Sequence, residues 1–420
     1  MAKGAATACS KATTSSPDSG PGIGTSLLAR NNGPVTRILI IGGGIAGTSA
    51  ALAVHKAGLD VTVFEAHPDS GADIGAFLTL ASNGMIALAQ LDAAEAVARV
   101  GFPLTAMRVT AHNGDVLAVT PIGEQDDPLR HYRCIGRAEL GAALRAEARR
   151  RGIEIVHGKR LIGVDDGTVT FEDGSTATGD LILGADGLNS TVRSLIAPTS
   201  PRYAGQRVFY GYTTDAKPDH EPGRIEMLRG SGTAIGYAVS PEGETNWFCR
   251  VPDTELTAEE IAAGSPEQWR ETLLPLVRPD ATPAAEIIAA TTDRLMVTNA
   301  RDLPEGMPWR AGRMLLVGDA AHAASPATGQ GASMALEDAV VLGKALRDLG
   351  VTTEALDAYE TLRRPRVEQN IATSARFTAA RTGSTTPPSA RPKPSEQPDF
   401  LAHLDWSRPT GYLGTDGQHV

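Results

Sequence analysis

The sequence predicts an α/β fold in which an open, mostly parallel sheet carries an inserted β-sheet domain and C-terminal helices. Three observations point there. Residues 37–41 form a short apolar run; glycines follow, then a helical stretch over 45–57 ended by Gly58, then a second apolar run over 61–64. Together these make one β-α-β unit. An apolar run returns at 314–317 and leads through Gly318 into a long helix over 331–349. Between the two, 208–251 is β-rich with little helical period.

Taken in order, the elements divide the chain into domains. Residues 1–34 are rich in Ala, Ser, Thr and Gly with Asp18 as the only acid, a composition that cannot build a core and predicts a disordered tail. Lys3, Lys11 and Arg30 are too scattered to favour the alternative, a transit peptide. Residues 107–120 alternate around the turn signal Asn113-Gly114, and 164–182 turns at Gly167 and again at Asp173-Gly174. Helices are predicted over 137–151, as a polar pair within 259–278, and over 353–380. Segments 35–106, 131–205 and 296–381 then form a discontinuous dinucleotide-binding domain, and 107–130 with 206–295 a β-rich substrate domain. Pro387, Pro388, Pro392, Pro394 and Pro398 mark 382–420 as an extended, Pro-rich tail.

Composition narrows the function classes. A chain of 420 residues can bury full hydrophobic cores. Its net charge of −10 argues against nucleic acid and strongly anionic membranes, which require clustered Lys and Arg. The most apolar stretch, 38–54, is broken by Gly42, Gly43, Gly44 and Gly47, so no membrane span is predicted. The N-terminus lacks a compact apolar core of a secretory signal, and a cytoplasmic location is expected. Cys9, Cys134 and Cys249 are odd in number and share no metal or redox spacing, as expected of reduced thiols; no metal is expected.

The chemistry concentrates in glycines. Gly42-x-Gly44-x-x-Gly47 lies between a strand and a helix: the first glycine permits a tight turn, the second lets backbone approach a pyrophosphate, and the third lets helix and strand pack closely. The helix N-terminus supplies free N–H groups to phosphate. Glu65 ends the next strand, where its carboxylate can accept hydrogen bonds from ribose hydroxyls. Two further segments follow predicted strands. One runs from Gly184 through Asp186-Gly187 to Arg193. The other runs from Gly318-Asp319 through His322 and Pro326 to Gly329-Gln330-Gly331.

The three segments together resemble the signatures of the group A flavoprotein monooxygenases, the aromatic hydroxylase family typified by para-hydroxybenzoate hydroxylase, over roughly residues 35–375. The resemblance implies a Rossmann-type FAD-binding domain (GR2-like) holding FAD, with NADH or NADPH as a transient reductant that has no second glycine fingerprint of its own. It implies FAD contacts from Gly42, Gly44, Ile45, Ala46, Gly47, Glu65 and Ala66 in the first segment, and from Arg137, Leu161 and Asp186. In the last segment it implies contacts from Gly318, Asp319, Pro326, Gly329, Gln330, Gly331 and Ala332. Gly75 and Asn83 match, more loosely, a glycine-bearing loop beside the flavin. For Asp186 the alternative is an ordinary Asp-Gly turn residue, and for Arg137 a surface cation on its helix. His322 is read as a structural histidine, and Arg193 as a partner of Asp186. One departure stands out: where the family often has Asn, this chain has Ser333.

By the same resemblance the reaction is NAD(P)H-dependent hydroxylation or epoxidation of a small aromatic or natural-product-like molecule by O2, through a flavin C4a-hydroperoxide. A flavin dehydrogenase or reductase on the same fold is the alternative. The sequence displays no side-chain base for the reaction. The β-rich zone supplies the candidate substrate contacts Tyr210, Tyr212, Tyr237 and Trp247, with Arg224 or Arg250 for an acidic substrate, although aromatics at strand spacing more often belong to a core. A monomer or homodimer is expected.

Overall fold

The structure, a computed structural model, describes residues 36–68, 75–379 and 398–410. The tail expected at 1–34 and residues 71–74 of the expected flavin loop lie outside the described residues, as do 382–397 and 411–420 of the Pro-rich tail.

The β-α-β unit forms as the pattern requires: strand Arg37–Ile41, helix Ile45–Lys56, strand Asp60–Phe64. Strand Arg37–Ile41 is the centre of a parallel sheet, pairing with Asp60–Phe64 on one side and Leu181–Gly184 on the other. Glu154–Val156 extends the first side; Met314–Leu316 extends the second and carries the short antiparallel edge Arg310–Ala311. Chain order therefore reverses at Arg37–Ile41, and the loops leaving it and Leu181–Gly184 open a crevice at the strand ends, where open α/β sheets bind ligands. Helix Ile45–Lys56 packs on helix Gly331–Leu349 through small residues: a Cβ added at Gly343 would lie 2.8 Å from Ala53 Cβ.

The second sheet has seven strands, in the order Leu295–Asp302, Arg202–Thr213, Thr245–Pro252, Ala234–Val239, Arg224–Arg229, Ala106–Ala111, Val116–Pro121. One face packs on helices Pro266–Val277 and Ala284–Ala289, burying Phe209, Leu228, Ile235, Tyr237, Trp247 and Cys249. The opposite face, with Tyr210, Tyr212, Ile225 and Phe248, meets Phe77 and the small sheet formed by Phe77–Leu80, Phe102–Leu104 and Tyr132–Gly136. Burial holds both described cysteines as thiols, pushing Cys134 up strongly and Cys249 up to about 12.

The C-terminal segment departs from expectation. Within the stretch expected to be extended, Pro398–Leu404 is helical, with Phe400 and Leu404 buried. Lys344 Nζ donates to His403 O at 2.8 Å, Trp406 N donates to Gln90 Oε1 at 2.8 Å, and the Arg366 guanidinium lies 3.9 Å over the Phe400 ring. Phe400 and Leu404 are spaced i,i+4, so one helical turn presents both to the core. The prolines preceding them mask that signal.

Candidate active site

Each glycine of the first loop answers a different demand. Gly42 has φ +106°, and a Cβ there would sit 2.4 Å from Ala185 O. A Cβ at Gly47 would fall 1.8 Å from Gly42 O, so helix Ile45–Lys56 is drawn directly against the turn. Gly44, the residue that caps that helix, has nothing within 4 Å of its Cβ position and lines a cavity of about 610 Å³. The unpaired N–H groups of the helix start at the same place.

Glu65 stabilises this loop as well as facing the cavity. Its Oε2 accepts from Gly43 N at 2.7 Å and its Oε1 from His67 N at 2.8 Å. Each carboxylate oxygen retains a lone pair for a ribose hydroxyl. Arg145, on helix Arg137–Arg150, donates from Nη1 to Gly43 O at 3.4 Å, a support that sequence reasoning missed. Its signal was weak: it stands two helical turns beyond Arg137 on a helix otherwise rich in surface arginines.

The cavity gathers most of the expected cofactor residues from segments far apart in sequence. Gly42, Gly44, Ile45 and Ala46 line it from the first loop, Glu65 and Ala66 from the second strand, and Arg137, Leu161 and Asp186 from three further elements. Asp319, Pro326, Gly329, Gly331 and Ala332 line it from the last segment. Gly47, Gly318 and Gln330 do not; they shape the walls. Gly318 (φ +60°) would bring a Cβ to 2.6 Å from Ala46 Cβ, and Gln330 Oε1 accepts from Asn83 Nδ2 at 3.0 Å.

The Pro326–Thr328 turn ends in Gly329 at φ +65°, which aims the N-terminus of helix Gly331–Leu349 into the cavity. Helix Thr353–Ala379 holds the turn: Thr328 Oγ1 lies 2.9 Å from Asn370 Oδ1, and Ser325 Oγ 2.8 Å from Thr378 Oγ1. Asn83 also donates to Glu337 at 2.6 Å. Gly75 meets the seven-stranded sheet instead, its carbonyl accepting from Tyr212 Oη at 2.9 Å.

Several residues take up other work. Asp186 accepts from Ser190 Oγ, Thr191 N and Val192 N, so its carboxylate caps helix Thr191–Ile196 while lining the cavity. Arg193 does not pair with it; its guanidinium donates to the carbonyls of Thr199, Ala320 and Leu188. His322 is buried, with Nε2 2.5 Å from Asp338. Burial alone would raise the Asp338 carboxyl, but His322 and Arg363 hold it well below the ordinary range. Ser333 does not line the cavity. Its Oγ accepts from Ala81 N at 3.2 Å and lies 2.8 Å from a Cβ position at Gly84, leaving no room for Asn.

The substrate candidates divide by sheet face. Tyr210, with Val208, Phe248 and Arg250, lines the cavity. Tyr237, Trp247 and Arg224 do not. Side chains alternate along a strand, and the register Tyr210↔Phe248 and Tyr237↔Trp247 puts the second pair on the helix-covered face. There Trp247 Nε1 donates to Thr291 Oγ1 at 2.9 Å and Tyr237 Oη to Asp219 O at 2.9 Å. Arg224 is paired with Glu226 and Glu221, each at 2.6 Å. Tyr212 is on the cavity's side of the sheet but turned to Gly75, with Arg294 stacked 4.3 Å over its ring. Phe248 and Phe77, missed in the sequence, take the places that Trp247 and Tyr237 were expected to fill.

A doubly wound sheet that directs two helix N-termini, an acidic strand end and a Gly-Asp turn into one cavity has the arrangement of a dinucleotide-binding protein. The chain belongs to the FAD binding domain family, whose pattern matches residues 35–374, and within it to the group A flavoprotein monooxygenases. It is 31% identical over 356 residues to the aurachin C monooxygenase/isomerase of Stigmatella aurantiaca, covering 81% of this chain and 88% of that protein. It is 31% identical over 354 residues to the 3-amino-4-hydroxybenzoate 2-monooxygenase of Streptomyces cremeus, covering 79% and 84%. Among solved structures, Klebsiella pneumoniae HpxO complexed with FAD and uric acid superposes with a TM-score of 0.73 at 26% identity, covering 89% of this chain and 93% of that one. The chain is accordingly an FAD-dependent monooxygenase that uses NAD(P)H, and the reductase alternative is not favoured. No described helix is long and apolar enough to cross a membrane.

Proposed function

We propose that this monooxygenase hydroxylates a small planar aromatic ring held on the wall formed by Phe77, Tyr210 and Phe248, with the cavity residues named above holding FAD. FAD held there would supply the hydride acceptor for NADH or NADPH and the centre that activates O2. The observation that carries the reading is the continuity of the wall with the glycine-loop cavity. Phe77 stands edge-on to Tyr210 with centroids 6.2 Å apart and lies 6.2 Å from Phe248. Such rings bind planar molecules by stacking and edge contacts while excluding water. Burial keeps the Tyr210 phenol protonated, so it can donate a hydrogen bond to a ring substituent. Among relatives, one is named for acting on 3-amino-4-hydroxybenzoate and one is seen with uric acid, which supports a compact, flat substrate.

The test is NAD(P)H oxidation by the FAD-loaded protein under 18O2 against hydroxybenzoates, quinolones and purines. Ring-stimulated oxidation with one 18O atom in the product is the expected result. Stimulated oxidation of NAD(P)H without labelled product would reject oxygen insertion.

A further inference from the structure

We propose that the C-terminal segment supports the flavin site: Phe400 and Arg366 are positioning residues that fix, through Glu337 and Asn83, the start of helix Gly331–Leu349 where it meets the cavity. This rests on the reading above that the cavity holds FAD, and not on the identity of the substrate. Gln330 immediately precedes that helix, and Gly331 and Ala332 line the cavity. Both amide hydrogens of Asn83 are committed: Nδ2 donates to Gln330 Oε1 at 3.0 Å and to Glu337 Oε1 at 2.6 Å. Asn83 therefore holds Gln330 only as firmly as Glu337 holds Asn83.

Glu337 is fully buried, so its carboxylate needs cations. Arg363 reaches Oε2, at 2.6 Å. Arg366 grips both oxygens, donating from Nε to Oε2 at 2.7 Å and from Nη2 to Oε1 at 2.9 Å, and this fork fixes the plane of the carboxylate. Oε1, the atom that faces Asn83, takes its charged donor from Arg366. The Phe400 ring covers the guanidinium, whose carbon stands 3.9 Å from the ring centroid. Excluding water there strengthens the ion pair, and the ring adds a cation–π attraction. Phe400 is in turn held by the rest of its segment. Lys344 Nζ donates to His403 O at 2.8 Å, and Thr410 N donates to Asp348 at 2.7 Å. The Trp406 ring seats on Gly343, where a Cβ would come to 3.0 Å from it.

The test measures FAD affinity of the full chain by fluorescence quenching. Arg366→Gln should weaken FAD binding about tenfold, the scale of one charge-assisted hydrogen bond. Arg366→Lys, which restores the charge without the fork, should recover part of that loss. Phe400→Leu, which keeps the segment apolar but removes the ring, should weaken FAD about threefold. Asn83→Ala should cost about as much as Arg366→Gln. Because both act along one path, the double variant should bind FAD no worse than either single one. Losses that multiply in the double variant would make Arg366 a general stabiliser of the fold and overturn the proposal. Native FAD affinity in Arg366→Gln would overturn it as well. Should Arg366→Gln fail to fold, Phe400→Leu and Asn83→Ala form the same cycle and are judged by the same two outcomes. Unchanged FAD affinity in Gly44→Ala marks the separate failure, that of the cavity as the cofactor site.

Discussion

Arg363 Nη1 donates to Glu337 Oε2 at 2.6 Å, and neither side chain reaches solvent. The same guanidinium donates from Nε to Asp338 at 2.8 Å, and Asp338 in turn accepts from Gly318 N at 3.0 Å. Helix Thr353–Ala379 thus holds the start of the Gly318-Asp319 turn through a buried ion pair. Burial would raise the Glu337 carboxyl, but Arg363 and Arg366 hold it below the ordinary range. Replacing Arg363 with Met leaves both carboxylates inadequately compensated, at a cost of about 3–5 kcal/mol. Denaturant midpoints should fall accordingly, and FAD should be lost on gel filtration. An unchanged midpoint would show that the pair is dispensable.

Gly44 and Gly47 should fail in different ways. Gly47→Ala places a methyl group against Gly42 O, so the protein should unfold at lower temperature even when stripped of FAD. Gly44→Ala adds its methyl to open cavity, so the stripped protein should melt normally while FAD affinity drops. Calorimetry of the stripped proteins and quenching of FAD fluorescence measure the two effects. Parallel losses in both variants would contradict the geometry.

Ser333→Asn restores the residue common in the family, yet it should not strengthen the flavin site. The added atoms meet Gly84, where helix Ser82–Gln90 packs against helix Gly331–Leu349. Overpacking of this kind costs about 1–3 kcal/mol. A double variant cannot relieve the clash at Gly84, which has no side chain to trim. A Ser333→Asn protein as stable as the parent would mean that the helices separate freely.

Glu147 sets a modest acid limit. The Arg150 hydrogen bond, aided by Arg151, lowers its carboxyl from 4.5 to about 2. Because the folded-state value is depressed, the stabilisation is present above 4.5 and is lost as pH falls toward 2. Arg150 is largely exposed, so solvent screening keeps the contribution small. Glu147→Gln should flatten that part of the stability–pH curve in urea melts between pH 5 and pH 2, which is the check.

The sequence by itself determined the parts whose demands are local. Gly42, Gly318 and Gly329 adopt backbone conformations that other residues rarely take, and each sits beside a strand or helix end readable from apolar spacing. The cofactor class, the β-α-β unit and the long helices were legible for that reason. The aromatic wall of the cavity was not. Whether Tyr210 or Tyr237, and Arg250 or Arg224, faces the cavity depends on the register between strands distant in sequence, and a shift of one residue exchanges the faces. The docking of Pro398–Leu404 was hidden for a related reason: its apolar residues acquire a partner only once helices remote in sequence have assembled. Tertiary structure alone decided which side chains of the seven-stranded sheet face the cavity, because that choice is made by long-range pairing and not by local backbone preference.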